Sequence, residues 1–490
     1  MIETRQPSKL TSLQANLISL LLVGLLMGGL LIGILNRDSN LGLYLVGGIA
    51  GASLVGLVFL FPQMGTYVLT ATIFTNISSI LSDQGLPGVN KPLVALTFVA
   101  VMAAYFLTAR QTIRLKGVEW FMLALGGVWL ASYFVAQDKS ASVEQIVEFS
   151  KNFIILLVVV YSLNSQSSWK QVIWLIILST TFLAALGAYQ VITGNYEQTF
   201  WQLAVVTPDI TQMRLSGSVG DPNFHGQILA AVLPLAIYRI LDDKNPVLKV
   251  IAAGAALLLV FAILNTYSRG AFLAMVVTLV LIAFERRIKF SLIILVLTVT
   301  VVMMQFLPAG YTQRLETLSI FTSDETTIHS EGSFRGRTSE MLSAQAMFTD
   351  HPLLGVGIGN YELNYQDYAS RLGLEQRTEN RQAHSLYLEI AAETGIFGLL
   401  TFIGLFTALL VGLIRARRQA QRLNKDSDWP TWLMSLQMAI TSYLVSSIFL
   451  HGDYIRFLFF LVALGAAAIH LTDRLEKSAP LQPSEIGLSN

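Results

Sequence analysis

Residues 381–418 read RQAHSLYLEIAAETGIFGLLTFIGLFTALLVGLIRARR. The apolar run at 385–413 is longer than the roughly 20 residues that a membrane-spanning helix requires. His384 precedes the run, and Arg415, Arg417 and Arg418 follow it. Because lysine and arginine concentrate on the cytoplasmic side of membrane proteins, this stretch predicts a spanning helix with its basic end inside and its histidine end outside.

The composition of the whole chain agrees with a membrane protein. Hydrophobic residues make up 53% of the 490 residues and charged residues 13%, with a net charge of +1, whereas soluble domains carry about 25% charged residues. We therefore predict an integral membrane protein, and no charge excess suggests a nucleic acid partner. The chain has no cysteine, which excludes disulfides, thiolate zinc sites and cysteine nucleophiles.

Apolar runs of helical length recur along the chain and predict an all-α polytopic fold with about 12–14 transmembrane helices. The first run is longer than the h-region of a signal peptide, which spans roughly 7–15 residues. The candidate runs are 13–35, 41–61, 65–81, 92–108, 117–136, 143–163, 169–192, 225–241, 247–266, 270–284, 288–307, 385–413, 432–450 and 454–471.

The distribution of lysine and arginine between the runs predicts that both termini lie inside. Two outer segments are then long, 193–224 and 308–383, and the second is longer than a connection requires. We expect it to form a mostly helical extracytoplasmic cap. The predicted domains are N-terminal helices (1–192), central helices (193–307, with outer loop 193–224), the large loop (308–384), C-terminal helices (385–475) and a disordered tail (476–490).

Arginine, not lysine, is the basic residue of the outer segments. A planar guanidinium suits bidentate phosphate binding, so this set predicts an oxyanion partner such as a diphosphate. The alternative for any single arginine is that it balances the acidic residues of the cap. Arg269 is a stronger candidate, because it lies between two apolar runs, where a charge is costly and usually functional. The outer set is Arg214, Arg269, Arg314, Arg335, Arg337, Arg371, Arg377 and Arg381.

The segment RLSGSVGDPNFHG at 214–226 combines Arg214 with an Asp-Pro-Asn turn before an apolar run. Asp221 or Asn223 would cap the following helix, with Pro222 in its first turn. A helix N-terminus also attracts anions. The segment therefore predicts a capped helix start that is compatible with a phosphate site.

His384 is the candidate general base. The positive end of the following helix and the nearby Arg381 both favour a neutral imidazole, which can accept a proton. The alternative is an interfacial histidine that bonds to the backbone. Glu389 and Glu393, four residues apart, predict a kink or a polar seam in the same helix. The six histidines show no HExxH or other metal-ligand spacing, so no metal and no cofactor are predicted.

Five segments in this order resemble the O-antigen ligase and polymerase superfamily over about residues 200–410. They are RLSGSVGDPN, YSRGAF, SFRGRTSEM, HPLLGVGIGNY and AHSLYLEIAAETGIFGLL. The resemblance implies a GT-C-like fold, with His384 as the base and Arg269 and Arg337 as contacts to the diphosphate; Arg335 is the rival of Arg337. Arg214, Asn223 and Arg381 would lie on the substrate side. Many members have asparagine after the histidine, where this chain has Ser385.

The resemblance implies a metal-independent, inverting glycosyltransferase of the bacterial inner membrane that acts on its periplasmic side. It would transfer a glycan from undecaprenyl diphosphate to a hydroxyl of a glycan, lipid or protein acceptor. One alternative is a polysaccharide polymerase with a lipid-linked acceptor, which needs the same base and diphosphate site. Another is a small-anion transporter, for example of bicarbonate, which ranks lower because we find no internal repeat. An inactive scaffold is a further alternative.

Overall fold

The computed structural model describes residues 41–108, 113–209, 212–288, 332–374, 381–452 and 455–478. The predicted runs 13–35 and 288–307, apart from Ile288, lie outside the described residues, as do the first part of the large loop and most of the predicted tail. Within the described residues the chain is a helical, polytopic membrane protein, which confirms the predicted fold class.

Each apolar run within the described residues corresponds to a helix or a bent pair of helices. We number them α1 (Leu41–Leu60), α2 (Pro62–Phe74), α3 (Ile77–Asp83), α4 (Asn90–Ala103), α5 (Gly117–Ser132), α6 (Lys139–Ser162), α7 (Gln166–Thr193), α8 (Pro222–Asp242), α9 (Pro246–Asn265), α10 (Arg269–Glu285), α11 (Gly332–Asp350), α12 (Tyr361–Arg371), α13 (Leu386–Leu423), α14 (Trp429–Ser446) and α15 (Ile455–Ser478).

Among the described residues, five helices are long and apolar enough to cross a membrane: α7, α8, α9, α13 and α15. Helices α2 and α3 pass the same test as a pair, but the pair is bent by 63°. Between them, Asn76 adopts a left-handed backbone conformation with φ of 58°, which asparagine tolerates better than most residues. The predicted run 65–81 is therefore a broken helix.

Contacts divide the helix ends into two faces. On one, the cap face, Ser142 Oγ donates to Ile358 O at 2.6 Å and Asn76 Nδ2 donates to Ser218 O at 2.7 Å. The other, the basic face, holds the ion pairs Lys116–Asp473, Lys170–Asp428 and Arg286–Asp242. Helices α5, α6, α7 and α8 run between the two faces in alternating directions.

The outer loop 193–224 contains a short antiparallel hairpin that the sequence did not predict. Its strands are β1 (Val205–Pro208) and β2 (Met213–Gly217), and Thr207 pairs with Arg214. The following helix begins as predicted, since the Asp221 side chain accepts bonds from the backbone N–H groups of Asn223 and Phe224. The hairpin and the bonds of the Asp221 side chain together fix Arg214 near the start of α8.

Helix α13 is interrupted at Gly395, where φ is 65° and ψ is −161°. The loop after α11 fills the break: Val356 N–H donates to Ala392 O, and Ile396 N–H donates to Pro352 O at 2.8 Å. The polar feature that the sequence placed near Glu393 is thus a glycine-dependent break. Beyond it, the uncharged stretch 396–414 is roughly 28 Å long as a helix, enough to cross the hydrocarbon core.

We expect Gly395→Ala to lower the free energy of unfolding by roughly 2 kcal/mol or more, because this backbone conformation is strained for any residue with a Cβ. The added methyl group would also collide with the carbonyl of Leu353. Thermal unfolding of the purified protein measures the change. Gly254→Ala in α9 is the matched control: its Cβ would meet nothing within 4 Å, so a change under about 1 kcal/mol is expected. Equal stability of both variants would contradict the assigned strain.

Candidate active site

The turn 447–452, between α14 and α15, is the meeting point of three helix starts on the cap face. The backbone N–H of Leu386, at the start of α13, donates to Ser447 O at 3.0 Å and to Leu450 O at 2.7 Å. Each helix start carries a partial positive charge from its backbone dipoles. The start of α13 therefore contacts the turn through the backbone N–H of its first residue.

The other two helix starts lie against side chains of the same turn, those of His451 and Phe449. The Phe224 ring, in the first turn of α8, lies edge-on to His451 with ring centroids 4.9 Å apart. At the start of α10, a side chain added at Gly270 would meet Phe449 Cβ at 3.3 Å. Three helix N-termini thus gather around one turn, an arrangement that favours binding of an anion.

His384 lies immediately before α13, beside this turn. Its Nε2 is 3.4 Å from Glu340 Oε2, and its ring is edge-on to His451 with centroids 5.4 Å apart. Its side chain is 22% exposed, whereas that of Glu340 is 1% exposed. His384 also has a positive φ of 47°, which is uncommon for histidine. The imidazole therefore has one edge near a buried carboxylate and retains partial access to solvent.

Glu340, in α11, is the residue that links the cap to His384. Its Oε1 lies 3.6 Å from Arg381 Nη1, and its backbone carbonyl accepts a 2.6 Å bond from the Tyr361 hydroxyl. Burial, together with the charge of Glu340, raises the pKa of the Tyr361 hydroxyl above its usual range, so the hydroxyl remains protonated and able to donate. The sequence did not single out Glu340 among the acidic residues of the cap.

Arg337 lies on the same helix as Glu340, three residues earlier. Residues three apart in a helix are neighbours on one face, so Arg337 shares the face that reaches His384, and its side chain is half-buried. The rival, Arg335, belongs to the first turn of α11, and its side chain lies outside the described residues. The helix thus brings the predicted base and Arg337 to one region.

Arg269 is the first residue of α10, and its side chain is half-buried. Ser268 caps the helix by accepting a bond from Ala271 N–H at 3.4 Å. The start of α10 therefore lies in the same cap-face region as the turn 447–452.

Arg214 is tied to its surroundings by two hydrogen bonds. Its Nε donates to Thr266 O at 3.0 Å, and its Nη2 donates to Asn223 Oδ1 at 3.0 Å. Asp209 Oδ2 lies 3.9 Å from Arg214 Nη1. Arg214 and Asn223 thus join the β-hairpin, the start of α8 and the turn before Arg269.

Arg456, at the start of α15, is a second cap-face residue that the sequence analysis did not select. Its Nη2 donates to Asn76 Oδ1 at 2.6 Å, while Asn76 Nδ2 donates to Ser218 O. The argument that selected Arg269 applies equally to Arg456, since it is an arginine at the outer end of an apolar run. Arg456 therefore holds the bend between α2 and α3 against the outer loop.

The two glutamates at the start of α13 hold the site together. Glu389 Oε2 accepts a 2.8 Å bond from Gly452 N–H, and Glu393 Oε1 accepts a 2.9 Å bond from Tyr361 N–H. Glu389 therefore fixes the turn that carries His451, and Glu393 fixes the cap. Among the residues that the structure describes, no three His, Asp or Glu side chains gather as a metal site.

These features define a polytopic membrane protein with a histidine- and arginine-bearing site beneath a helical cap. Residues 254–403 match the family model described as O-antigen ligase, and this range contains Arg269, Arg337, Glu340, Arg381 and His384. The match confirms the resemblance over this part of the chain and supports a membrane enzyme of the O-antigen ligase or polymerase type. A search of curated proteins found no match.

Proposed function

We propose that the protein transfers a glycan from an undecaprenyl diphosphate carrier to an acceptor hydroxyl, on the extracytoplasmic side of the bacterial inner membrane. The observation that carries the proposal is the 3.4 Å approach of His384 Nε2 to the buried Glu340 carboxylate. A carboxylate beside an imidazole orients the ring and stabilises the imidazolium that forms when the ring accepts a proton. His384 is therefore equipped to act as a general base.

The surroundings of His384 suit the leaving group. Departure of undecaprenyl diphosphate concentrates negative charge on its phosphate oxygens, and such charge is stabilised by preorganised arginines and helix N-termini. Arg269 and Arg337 would contact the diphosphate, Arg381 would lie beside the base, and Arg214 and Asn223 would lie on the substrate side. Arg335 remains the alternative to Arg337.

The proposed step is a direct displacement. The acceptor oxygen forms a bond to the anomeric carbon as the bond from that carbon to the diphosphate oxygen breaks. His384 takes the hydroxyl proton, and the electron pair of the broken bond leaves on undecaprenyl diphosphate. Attack from the face opposite the leaving group inverts the anomeric centre. The step requires no nucleotide sugar.

Purified protein in proteoliposomes, supplied with undecaprenyl diphosphate glycan in EDTA, tests the proposal. The acceptor arms are lipid A core, free glycan, and no acceptor other than the donor itself. We expect transfer to an added acceptor with release of undecaprenyl diphosphate. Chain growth on the donor alone would make the protein a polymerase. Absence of transfer in every arm, with bicarbonate flux in the same vesicles, would contradict the proposal and favour a transporter.

Glu340→Gln tests the positioning of His384. The amide keeps the shape of the side chain but removes the charge beside the imidazole, so we expect kcat to fall by roughly 10- to 100-fold. A carboxylate favours the protonated ring. Its loss should therefore move the midpoint of the acidic limb of the kcat profile to lower pH. A lower kcat with an unchanged midpoint would assign Glu340 a purely structural role.

A further inference from the structure

A cavity of about 300 Å³ lies on the basic face, opposite the proposed active site. Its walls come from the end of α10, the last turns of α13 and the first turns of α14. The lining residues are Glu285, Arg286, Arg417, Gln421, Pro430, Thr431 and Met434. The uncharged stretch of α13 ends directly before Arg415. The cavity therefore lies at the level of the lipid headgroups on this side of the membrane.

Arg286 is neutralised by protein carboxylates. Its guanidinium bonds to Asp242, with one Nη1–Oδ1 distance of 3.0 Å, and its Nε lies 2.9 Å from Glu285 Oε2. The same Glu285 oxygen accepts a 3.1 Å bond from the Tyr238 hydroxyl. The negative charge of Glu285 is therefore directed towards α8 and Arg286.

Arg417 is bound much more weakly. Its Nη1 donates to Met434 Sδ at 2.7 Å, and a thioether is a weak acceptor. Among the described residues, the carboxylate oxygen that approaches it is Glu285 Oε1, 3.9 Å away. Within the described part of the chain, the buried Nε of Arg417 has no hydrogen-bond partner. Arg417 thus lines the cavity with a positive charge that the surrounding described side chains balance only weakly.

The other walls of the cavity supply further polar groups beside Arg417. Gln421 follows Arg417 by one turn on the same face of α13, and Thr431 lies in the first turn of α14, where the helix dipole favours an anion. The guanidinium fork of Arg417 and the side-chain amide of Gln421 supply donors for the oxygens of a phosphate group, whereas the Thr431 hydroxyl already donates to Asp428 O at 2.9 Å. Basic pockets between membrane helices at this level commonly bind lipid headgroups.

We propose that this cavity, which we name the basic-face pocket, binds a phosphate group through Arg417 and Gln421, beside the start of α14. The phosphate belongs either to the headgroup of an anionic phospholipid of this leaflet or to a free phosphate ion. The pocket is independent of the proposed transfer reaction, because it lies at the other ends of the same helices. Its occupant would join α10, α13 and α14 on this face.

Titration of the purified full-length protein tests the pocket. The probes are dioctanoyl phosphatidylglycerol, dioctanoyl phosphatidylcholine and inorganic phosphate, followed by native mass spectrometry and thermal unfolding. We expect saturable binding of phosphatidylglycerol, weakened roughly tenfold or more by Arg417→Gln. Arg415→Gln and Arg418→Gln are matched controls, because both arginines are exposed on the same helix and lie outside the pocket. They should leave binding unchanged.

Each result decides the proposal. Arg417-dependent binding of phosphatidylglycerol alone identifies the lipid as the source of the phosphate, and Arg417-dependent binding of inorganic phosphate alone identifies the free ion. Equal losses in Arg417→Gln and Arg418→Gln would show general surface attraction and overturn the pocket, as would equal binding of phosphatidylcholine. If Arg417→Gln does not fold, Gln421→Ala, an exposed position, should weaken binding several-fold while Arg418→Gln does not.

Discussion

His384→Ala is expected to reduce the rate of glycan transfer by roughly 10²- to 10⁴-fold, the usual contribution of a positioned general base. The methyl group cannot accept the proton of the attacking hydroxyl, and the buried Glu340 carboxylate, 3.4 Å from the ring in the native protein, loses the imidazole beside it. The measurement is the single-turnover rate in proteoliposomes with saturating donor. Because the base acts on the acceptor, binding of the lipid-linked donor should be retained.

The control for this variant is His351→Ala. His351 is an exposed histidine of the same cap, next to the end of α11, and it has no role in the proposed step. Its variant should retain the native rate. Equal rates in His384→Ala and the native protein would remove His384 from the chemistry, and loss of donor binding together with activity would assign it to the binding of the carrier instead.

The membrane fold was predictable from the sequence because the bilayer imposes a length on every apolar run. The run 247–266 and the helix Pro246–Asn265 differ by one residue at each end. The break in α13 was only partly predictable. Glu393 marked a polar position, but the conformation at Gly395 depends on the loop 352–357, which is distant in the sequence and fills the gap. The hairpin in 193–224 was missed because two short strands carry almost no periodic signal.

The candidate site was predictable where a charge lies at the edge of an apolar run, as His384, Arg381 and Arg269 do. Glu340 was not predictable, because its importance arises from long-range contacts across the cap. Two influences on the charge of the His384 imidazole also oppose each other. The helix dipole and Arg381 favour a neutral imidazole, whereas Glu340 at 3.4 Å favours the protonated ring. The sequence revealed only the first influence, since no local pattern connects residues 340 and 384.

Arg269→Gln is expected to lower kcat/KM by roughly 10²- to 10³-fold, the usual cost of removing one preorganised donor to a developing oxyanion. Arg269 begins α10, whose start lies against Phe449 in the turn that also binds the start of α13. Its charge and the dipole of its own helix therefore act on the same region. Glutamine retains two N–H donors but loses the positive charge that the departing diphosphate requires.

A second measurement distinguishes loss of this charge from a disturbed fold. If Arg269 binds the diphosphate, product inhibition by undecaprenyl diphosphate should weaken in Arg269→Gln, and Arg269→Lys should recover part of both the rate and the inhibition, since lysine keeps the charge without the fork. Arg287→Gln is the matched control at the other end of the same helix, where the side chain is exposed. A native inhibition constant in Arg269→Gln would contradict a contact with the diphosphate, because the leaving group and the inhibitor share that group.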